Sequence, residues 1–445
     1  MRGPDSPNQT RYRFMYLFKQ KGSPLLFQKG KYPFLTILGS LACLATPSMA
    51  TPLSYEESRD LAIEQAGFAD LQEIADEAAR ARRKAATALP NPSAFVEHES
   101  LDGAIGTIDE TVAGVSTRLD FLWKRTARIE SADRRSQMAT HQLDDEKRRL
   151  AHEVTMSFIA YGNIYAELET LNSSLQAHQE AKKIAESLVS NGDIPPSNLR
   201  RIELTIEQLE IELVDLESRK AAILASFSVL TGMEDAKPSG QLQPDQLPFI
   251  SASDAIATAQ SQRADLLTLE SYAQWQDAEV ARNRAESRPE ASLDVAYKSN
   301  SDDQSGTFIG LSLELPIFGE SRAQTALAMT EQRRADLRVA RARRIINGEV
   351  TGAFERWQRL LALKKERTVS KADQRQNEAY LNSAAAGFEA GESTLMEYLD
   401  ALRTHLESRR SQLAFSNQLN LATAELAHLT GSDIPFKTSP ETLSE

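Results

Sequence analysis

Between Leu199 and Leu230 the apolar residues return at steps of three and four: Leu199, Ile202, Ile206, Leu209, Leu213, Leu216, Ile223, Phe227 and Leu230, with Lys220 the one break. Such spacing draws a narrow apolar seam along a helix and predicts knobs-into-holes pairing with a neighbour. Pro195 and Pro196 open the segment, where first-turn amides lack partners anyway. The stretch before it, from about Thr126 to Ser190, has one glycine, Gly162, and no proline. At ~1.5 Å per residue it makes roughly 95 Å of helix, too long for a globular core and suited to a coiled coil or a helical tube.

Elsewhere the period drops to two. Phe95 to Leu101 alternates weakly, and Asp102, Gly103 and Gly106 mark a loop. Val115, Thr117, Leu119 and Phe121 alternate with Ser116, Arg118 and Asp120. Further on, Leu293, Val295 and Tyr297 alternate with Ser292, Asp294 and Ala296, and Ile309, Leu311, Leu313 and Leu315 with Gly310, Ser312 and Glu314. These segments predict strands near 93–101, 112–122, 291–298 and 307–315, each with one apolar and one polar face. Leu53 to about Ala88 reads as one helix. Ser54 and Glu57 form a capping box at its start, its alanines allow close packing on a neighbour, and Leu89-Pro90-Asn91-Pro92 stops it.

The pattern occurs twice. Gly192 and Gly391 are 199 residues apart, as are Leu230-Thr231-Gly232 and Leu429-Thr430-Gly431, while Ala69-Asp70-Leu71 recurs 195 residues on as Ala264-Asp265-Leu266. The predicted fold is therefore mainly α with a small β part, in two halves, 51–240 and 241–445. Each half runs helix, two strands, long helix, tight turn and return helix, with turns near 191–196 and 387–394. Arg322 to Ala386 and the leucines Leu395, Leu399, Leu402, Leu406 and Leu413 supply the second hairpin. Two strands per half, and no more, cannot close a barrel within one chain. A four-stranded soluble sheet and a membrane wall shared among copies both fit the alternation.

Composition sharpens the reading. The aromatic share is 7% and the charged share 26%, a long-helix composition. Seven basic residues precede an apolar run from about Phe34 to Ala45, and Ser48-Met49-Ala50 offers small residues for signal cleavage after Ala50. Translation from Met15 fits the same signal. The apolar run is short for a membrane anchor, and lipidation at Cys43, the one cysteine, is the rival reading. Without residues 1–50 the chain has 44 basic and 62 acidic residues, a net charge of −18, which repels nucleic acid. No Gly-rich phosphate loop follows a strand, and no catalytic constellation is legible. The six histidines never fall at ligand spacing and read as solvated helix residues. Met396 reads as packing. No cofactor, metal or enzyme activity is expected.

Several residue runs resemble the TolC-like outer-membrane efflux family. Leu89-Pro90-Asn91-Pro92 resembles its entry to the first strand, and Leu313-Glu314-Leu315-Pro316-Ile317-Phe318-Gly319 its strand ending before the second long helix. Gly391-Glu392-Ser393-Thr394-Leu395-Met396-Glu397-Tyr398-Leu399-Asp400-Ala401 resembles its periplasmic tip. The resemblance implies a homotrimer with a shared twelve-stranded barrel in outer-membrane lipid and a helical tube in the periplasm of a Gram-negative bacterium. The implied function is the exit duct of a tripartite pump, with a periplasmic adaptor and an inner-membrane pump as partners. The Asn-Pro entry and the Pro-Ile-Phe-Gly ending are most similar to the heavy-metal and cation branch. Drug efflux and type I protein secretion are further readings, and a non-pore periplasmic coiled-coil adaptor is the alternative outside the family.

Glu397 and Asp400 match the family's entrance carboxylates, whose crowding in a ring would raise some proton affinities. Gly192, Asp193, Phe388, Gly391 and Glu392 match the tip turns that meet the adaptor. The family's charged tip links fall here on Asn198 and Ser393, which cannot form them, so a different latch is expected. The export signal predicts a mature N-terminus at Thr51. N-terminal sequencing of the exported protein checks it, and retention of residues 1–50 would contradict it.

Overall fold

The computed structural model describes residues 51–103, 106–244, 247–369, 371–432 and 436–439. The export signal, Cys43 and the cleavage residue Ala50 lie outside them. The order begins with β1 (Thr51–Leu53), α1 (Tyr55–Gln65), α2 (Phe68–Thr87), β2 (Ser93–Gly103), β3 (Gly106–Arg118), α3 (Phe121–Asn191) and α4 (Pro196–Thr231). It continues with β4 (Ala236–Pro238), β5 (Gln241–Pro244), α5 (Ala252–Gln262), α6 (Ala264–Glu286), β6 (Glu290–Asn300) and β7 (Ser305–Glu314). Then come α7 (Glu320–Val369), α8 (Lys371–Glu389), α9 (Leu395–Thr430) and β8 (Phe436–Ser439).

The Ser54–Glu57 capping box forms as expected, with the Ser54 amide donating to Glu57 at 2.9 Å. The expected single helix to Ala88 is instead two, because the chain passes through the left-handed region at Gly67. The expected strand 112–122 also moves. Its alternation runs on through Leu119 and Phe121, but the backbone turns at Leu119, whose carbonyl accepts from the Leu122 amide, and α3 starts at Phe121. At its other end β3 reaches back to Gly106, because polar cross-strand pairs hold a stretch without alternation. Ser100 donates to Asp109 at 2.6 Å and Thr107 to Asp102 at 2.8 Å. The expectation of only two strands per half fails too. β1 pairs with β4 in parallel, and β5 with β8 antiparallel, and runs of three and four residues are too short to show a period.

The principal sheet is antiparallel, in the order β2-β3-β6-β7. On α4 the heptad reading holds: Ile202, Ile206, Leu209, Leu216 and Phe227 are buried. The break at Lys220 has a use, since its ammonium lies 5.9 Å from the Tyr165 ring centre, within cation–π range. Four apolar clusters follow one another along the helices. One packs Tyr55 and Phe227 edge-on to Phe158, and Tyr55 also bonds Thr155 at 3.0 Å. A second gathers Leu266, Val350, Phe354 and Trp357 with Leu426.

Where sheet meets helices, charges replace this apolar packing. Lys124 is 0% exposed, and its ammonium lies 2.7 Å from Glu290, 3.5 Å from Asp120 and 3.7 Å from Glu286. Arg118 bonds Asp120 at 2.6 Å and Arg128 bonds Glu286 at 2.5 Å. Three bases and three acids thus weld the start of α3 to the α6–β6 corner. Of these six, only Lys124 and Asp120 are fully buried, and removing Lys124 leaves three acids against two bases around the buried Asp120. Lys124→Ala is expected to cost about 3–5 kcal/mol. A loss of thermal midpoint no larger than that of an exposed Lys→Ala variant would contradict the burial.

Candidate functional site

Two regions carry the candidate chemistry, the faces of the principal sheet and the tips of the two helical hairpins. The register assigns every strand residue to a face. Val115, Val295 and Ile309 form one cross-strand row, and Thr117, Leu293 and Leu311 the next. Val96, Tyr297 and Leu313 lie on that same face, and Ile309 and Leu311 are 71% and 73% exposed. The opposite face carries Glu97, Glu99, Glu110, Ser116, Asp294, Lys298 and Glu314, with Lys298 paired to Glu110 at 2.5 Å. The charged face also carries Phe95, Leu101, Ile108, Val112 and Phe308, and the apolar face ends in Ser100, Asp102 and Asp109 at the β2–β3 turn, so the two faces differ most at the end of the sheet nearest the helices. β2 and β7 are the sheet's edges and have no strand beyond them among the described residues.

At the first tip α3 ends on Gly192 (φ 80°), whose amide reaches the Leu188 and Val189 carbonyls, and Asp193 closes the turn onto Leu188 at 2.8 Å. At the second, Gly391 (φ 73°) is followed by Glu392, whose amide donates to the Gly387 carbonyl at 2.7 Å. Both glycines hold left-handed backbone that a side chain would strain. Gly192, Asp193, Gly391 and Glu392 are exposed. Phe388 is not. It is buried and stacked on Tyr398 at 5.3 Å, in a cluster with Ala181, Ala185, Ile202 and Leu395 that joins the two hairpins. In this conformation Phe388 holds the tip together.

Glu397 and Asp400 share the exposed side of α9, each with a partner in its own chain. Glu397 closes a capping box. It accepts from the Thr394 amide at 2.7 Å and the Thr394 hydroxyl at 3.0 Å, and its own amide donates to that hydroxyl at 3.3 Å. These bonds hold its carboxyl below the usual carboxylate range, so crowding has to act against the cap before it raises proton affinity. Asp400 pairs with Arg403 at 2.8 Å. The Thr394-x-x-Glu397 pattern carries the same capping-box signal as Ser54-x-x-Glu57.

Asn198 and Ser393 make no link to each other: Ser393 donates to the Ala384 carbonyl, and the Asn198 amide to the Pro195 carbonyl. The two hairpins are joined instead by Arg201, which points at the Met396 sulfur at 3.0 Å, and by Arg410, which pairs with Glu212. Periodicity gives no signal for either contact, because each joins exposed positions on separate helices.

His178, His152 and His428 differ from the solvated reading. His178 is buried, with Nδ1 2.8 Å from the Ser174 carbonyl, and His98 lies on β2 beside Thr111. His152 and His428 stack at 4.1 Å, 18° from parallel, where α3 crosses α9. His428 borders a cleft of about 620 Å³ lined also by His141, Asp145, Arg148, Arg263 and Asp265, and Arg148 donates to the Gly431 carbonyl. Among the described residues no group of three or more His, Cys, Asp and Glu is arranged to hold a metal ion, and no helix is long and apolar enough to cross a membrane.

Residues 255–432 match the family model for outer membrane efflux protein. Over these residues, two fifths of its length, the chain is similar to the outer membrane efflux family. That family consists of transport channels rather than enzymes. The chain is 24% identical over 297 residues to the outer membrane protein OprJ of Pseudomonas aeruginosa, covering 63% of this chain and 61% of OprJ. It is 23% identical over 371 residues to the cobalt-zinc-cadmium resistance protein CzcC of Cupriavidus metallidurans, covering 78% and 82%. Its fold is similar to a solved structure of CusC, with a TM-score of 0.66 at 19% identity over 85% of this chain and 92% of that one.

Burial, the neighbouring imidazole and Arg263 push His428 down to about 4, and burial lowers His152 as well. The folded state therefore holds fewer protons than the unfolded chain between pH 6.5 and 4. Stability is full above about pH 6.5, is lost as pH falls through that window, and levels off below it. The loss is ~1–3 kcal/mol once solvent screening is allowed for. Thermal midpoints measured against pH check this, with His428→Phe expected to flatten the acid limb. An unchanged limb in that variant would contradict the assignment.

Proposed function

We propose that three copies of this chain join their four-stranded sheets into one twelve-stranded barrel in the outer membrane of a Gram-negative bacterium. The helical hairpins continue the duct through the periplasm, and each chain is a duplication of one hairpin-bearing half. The observation that carries this is the principal sheet: toward the helices one face is apolar and holds no charge, all the charged side chains there lie on the other face, and among the described residues both edges are open. A lipid-facing wall with water inside uses both faces, and closing the ring satisfies both edges. Because β2 and β7 run in opposite directions, β7 of one copy can pair antiparallel with β2 of the next, and the same contact repeats around the ring.

The duct serves as the exit of a tripartite efflux system, receiving cargo from an inner-membrane pump through a periplasmic adaptor. The similarity to the cobalt-zinc-cadmium resistance protein CzcC supports the heavy-metal and cation branch, and the match to the outer membrane efflux protein model supports the wider efflux group. The exposed turn residues Gly192, Asp193, Gly391 and Glu392 are the adaptor-facing surface. Glu397 and Asp400 ring the periplasmic entrance, where repeated carboxylates favour cations. Arg403 offsets Asp400, so Glu397 carries the larger share of the field.

Single-channel recordings in a salt gradient test the ring. Glu397→Gln keeps an acceptor for the cap and is expected to lower the cation-over-anion permeability ratio. Asp400→Asn should lower it less, and the double variant most. A ratio unchanged in the double variant would remove these carboxylates from the entrance.

A further inference from the structure

Between the two hairpins a cavity of about 420 Å³ opens where α3, α8 and α9 meet. It lies at the seam of two apolar clusters. Leu402 belongs to the cluster that holds the tip, and Leu406, one turn further along α9, to the next. Ala177 of α3 and Leu381 of α8 complete the apolar wall. Side chains that border a gap lose the contacts a close-packed neighbour would give, so the seam has apolar surface left to cover.

One polar group in this wall stands apart from its neighbours. Along α3, the Thr170 hydroxyl donates to the Ala166 carbonyl at 2.8 Å and the Ser173 hydroxyl to the Glu169 carbonyl at 2.9 Å, the usual back-bonds of hydroxyls on a helix. Ser174 also lines the cavity but makes no such bond. It is 9% exposed, and its Oγ is buried without a hydrogen-bond partner. A buried hydroxyl left alone costs free energy that a partner in the cavity recovers. Water is a poor partner, because an ordered water needs several polar contacts and the other buried lining residues, Leu402 and Leu406, have apolar side chains. The rim sets the charge of the occupant. Glu169 and Arg409, both exposed, border the cavity with opposite signs. An anion is repelled by the first and a cation by the second, and an ionised group of either sign is costly against the apolar wall.

We propose that this cavity is a binding site for a small, uncharged aromatic molecule carrying one hydrogen-bonding group, as a phenol does. The ring covers Leu381, Leu402 and Leu406, and the polar group pairs with the Ser174 hydroxyl. A rigid ring covers this wall at little cost in conformational freedom. Such a ligand touches α3 of the first hairpin and α8 and α9 of the second at once. Leu402 lies in one cluster with Phe388 and Tyr398, so occupancy ties the hairpins together and steadies the tip. The site is built within a single chain and does not depend on the three-copy duct.

Titration of the full chain in detergent with para-fluorophenol, followed by fluorine NMR line width, tests the site. Uptake by micelles is common to every variant, so differences between variants read the cavity. Ala177→Met fills the space and is expected to abolish saturable broadening. Ser174→Ala should weaken binding about fivefold, and it is a small enough change to decide the matter alone if the larger residue disrupts packing. Para-fluorobenzoate is expected to bind more weakly than the phenol. In the wild type the phenol should also slow amide hydrogen exchange at Phe388 and Tyr398. Absence of saturable binding to the wild type, or equal binding by the wild type and both variants, would overturn the site. Tighter binding of the benzoate would overturn the assignment to uncharged ligands.

Discussion

An edge strand presents a row of amides and carbonyls that must find partners, and in hydrocarbon no water can supply them. The principal sheet has two such edges, β2 and β7, and between them a face of valine, leucine and isoleucine. Neither property is tolerable alone in one chain. In water the apolar face is exposed, and in lipid the edges are unsatisfied. In the proposed ring, edge-to-edge pairing satisfies the backbone groups and so allows the apolar face to lie in hydrocarbon. The rest of the molecule fixes how that sheet is held.

The charged weld around Lys124 fits this purpose. Where strands become helices, the apolar packing of neither region continues, and a misplaced helix would tilt the sheet. Buried ion pairs are poor sources of net stability but demanding in geometry, since a broken pair leaves charge stranded. Six interlocking side chains therefore fix the angle at which α3 and α6 leave the sheet. At the opposite end the tip is held by apolar packing of Phe388 and Tyr398, and its carboxylates stay at the surface.

Much of this was legible in the sequence, for reasons that can be named. The α4 heptad and the alternation in β6 and β7 come from long runs with one apolar side, which print their period directly. The Ser54 cap was legible because its geometry needs two residue types at fixed spacing. Three kinds of feature were hidden. The loop-end half of the β2–β3 hairpin is held by polar side-chain pairs and shows no alternation. β1, β4, β5 and β8 are too short to have a period. The His152–His428 stack, the Arg201–Met396 contact and the Lys124 cluster join positions far apart in the chain, which local spacing cannot reveal. The α3 start was misread for a related reason: Leu119 and Phe121 keep the strand's alternation by coincidence while the backbone turns beneath them.

The central claim is that β2 and β7 are paired in the working protein although they are edges in one chain. Amide hydrogen exchange of the full chain in lipid nanodiscs measures this strand by strand. If the wall is closed by neighbouring copies, amides of β2 and β7 should be protected as strongly as those of the interior strands β3 and β6. Fast exchange confined to β2 and β7, with β3 and β6 protected, would mean that the edges stay open and that the sheet is not part of a closed barrel.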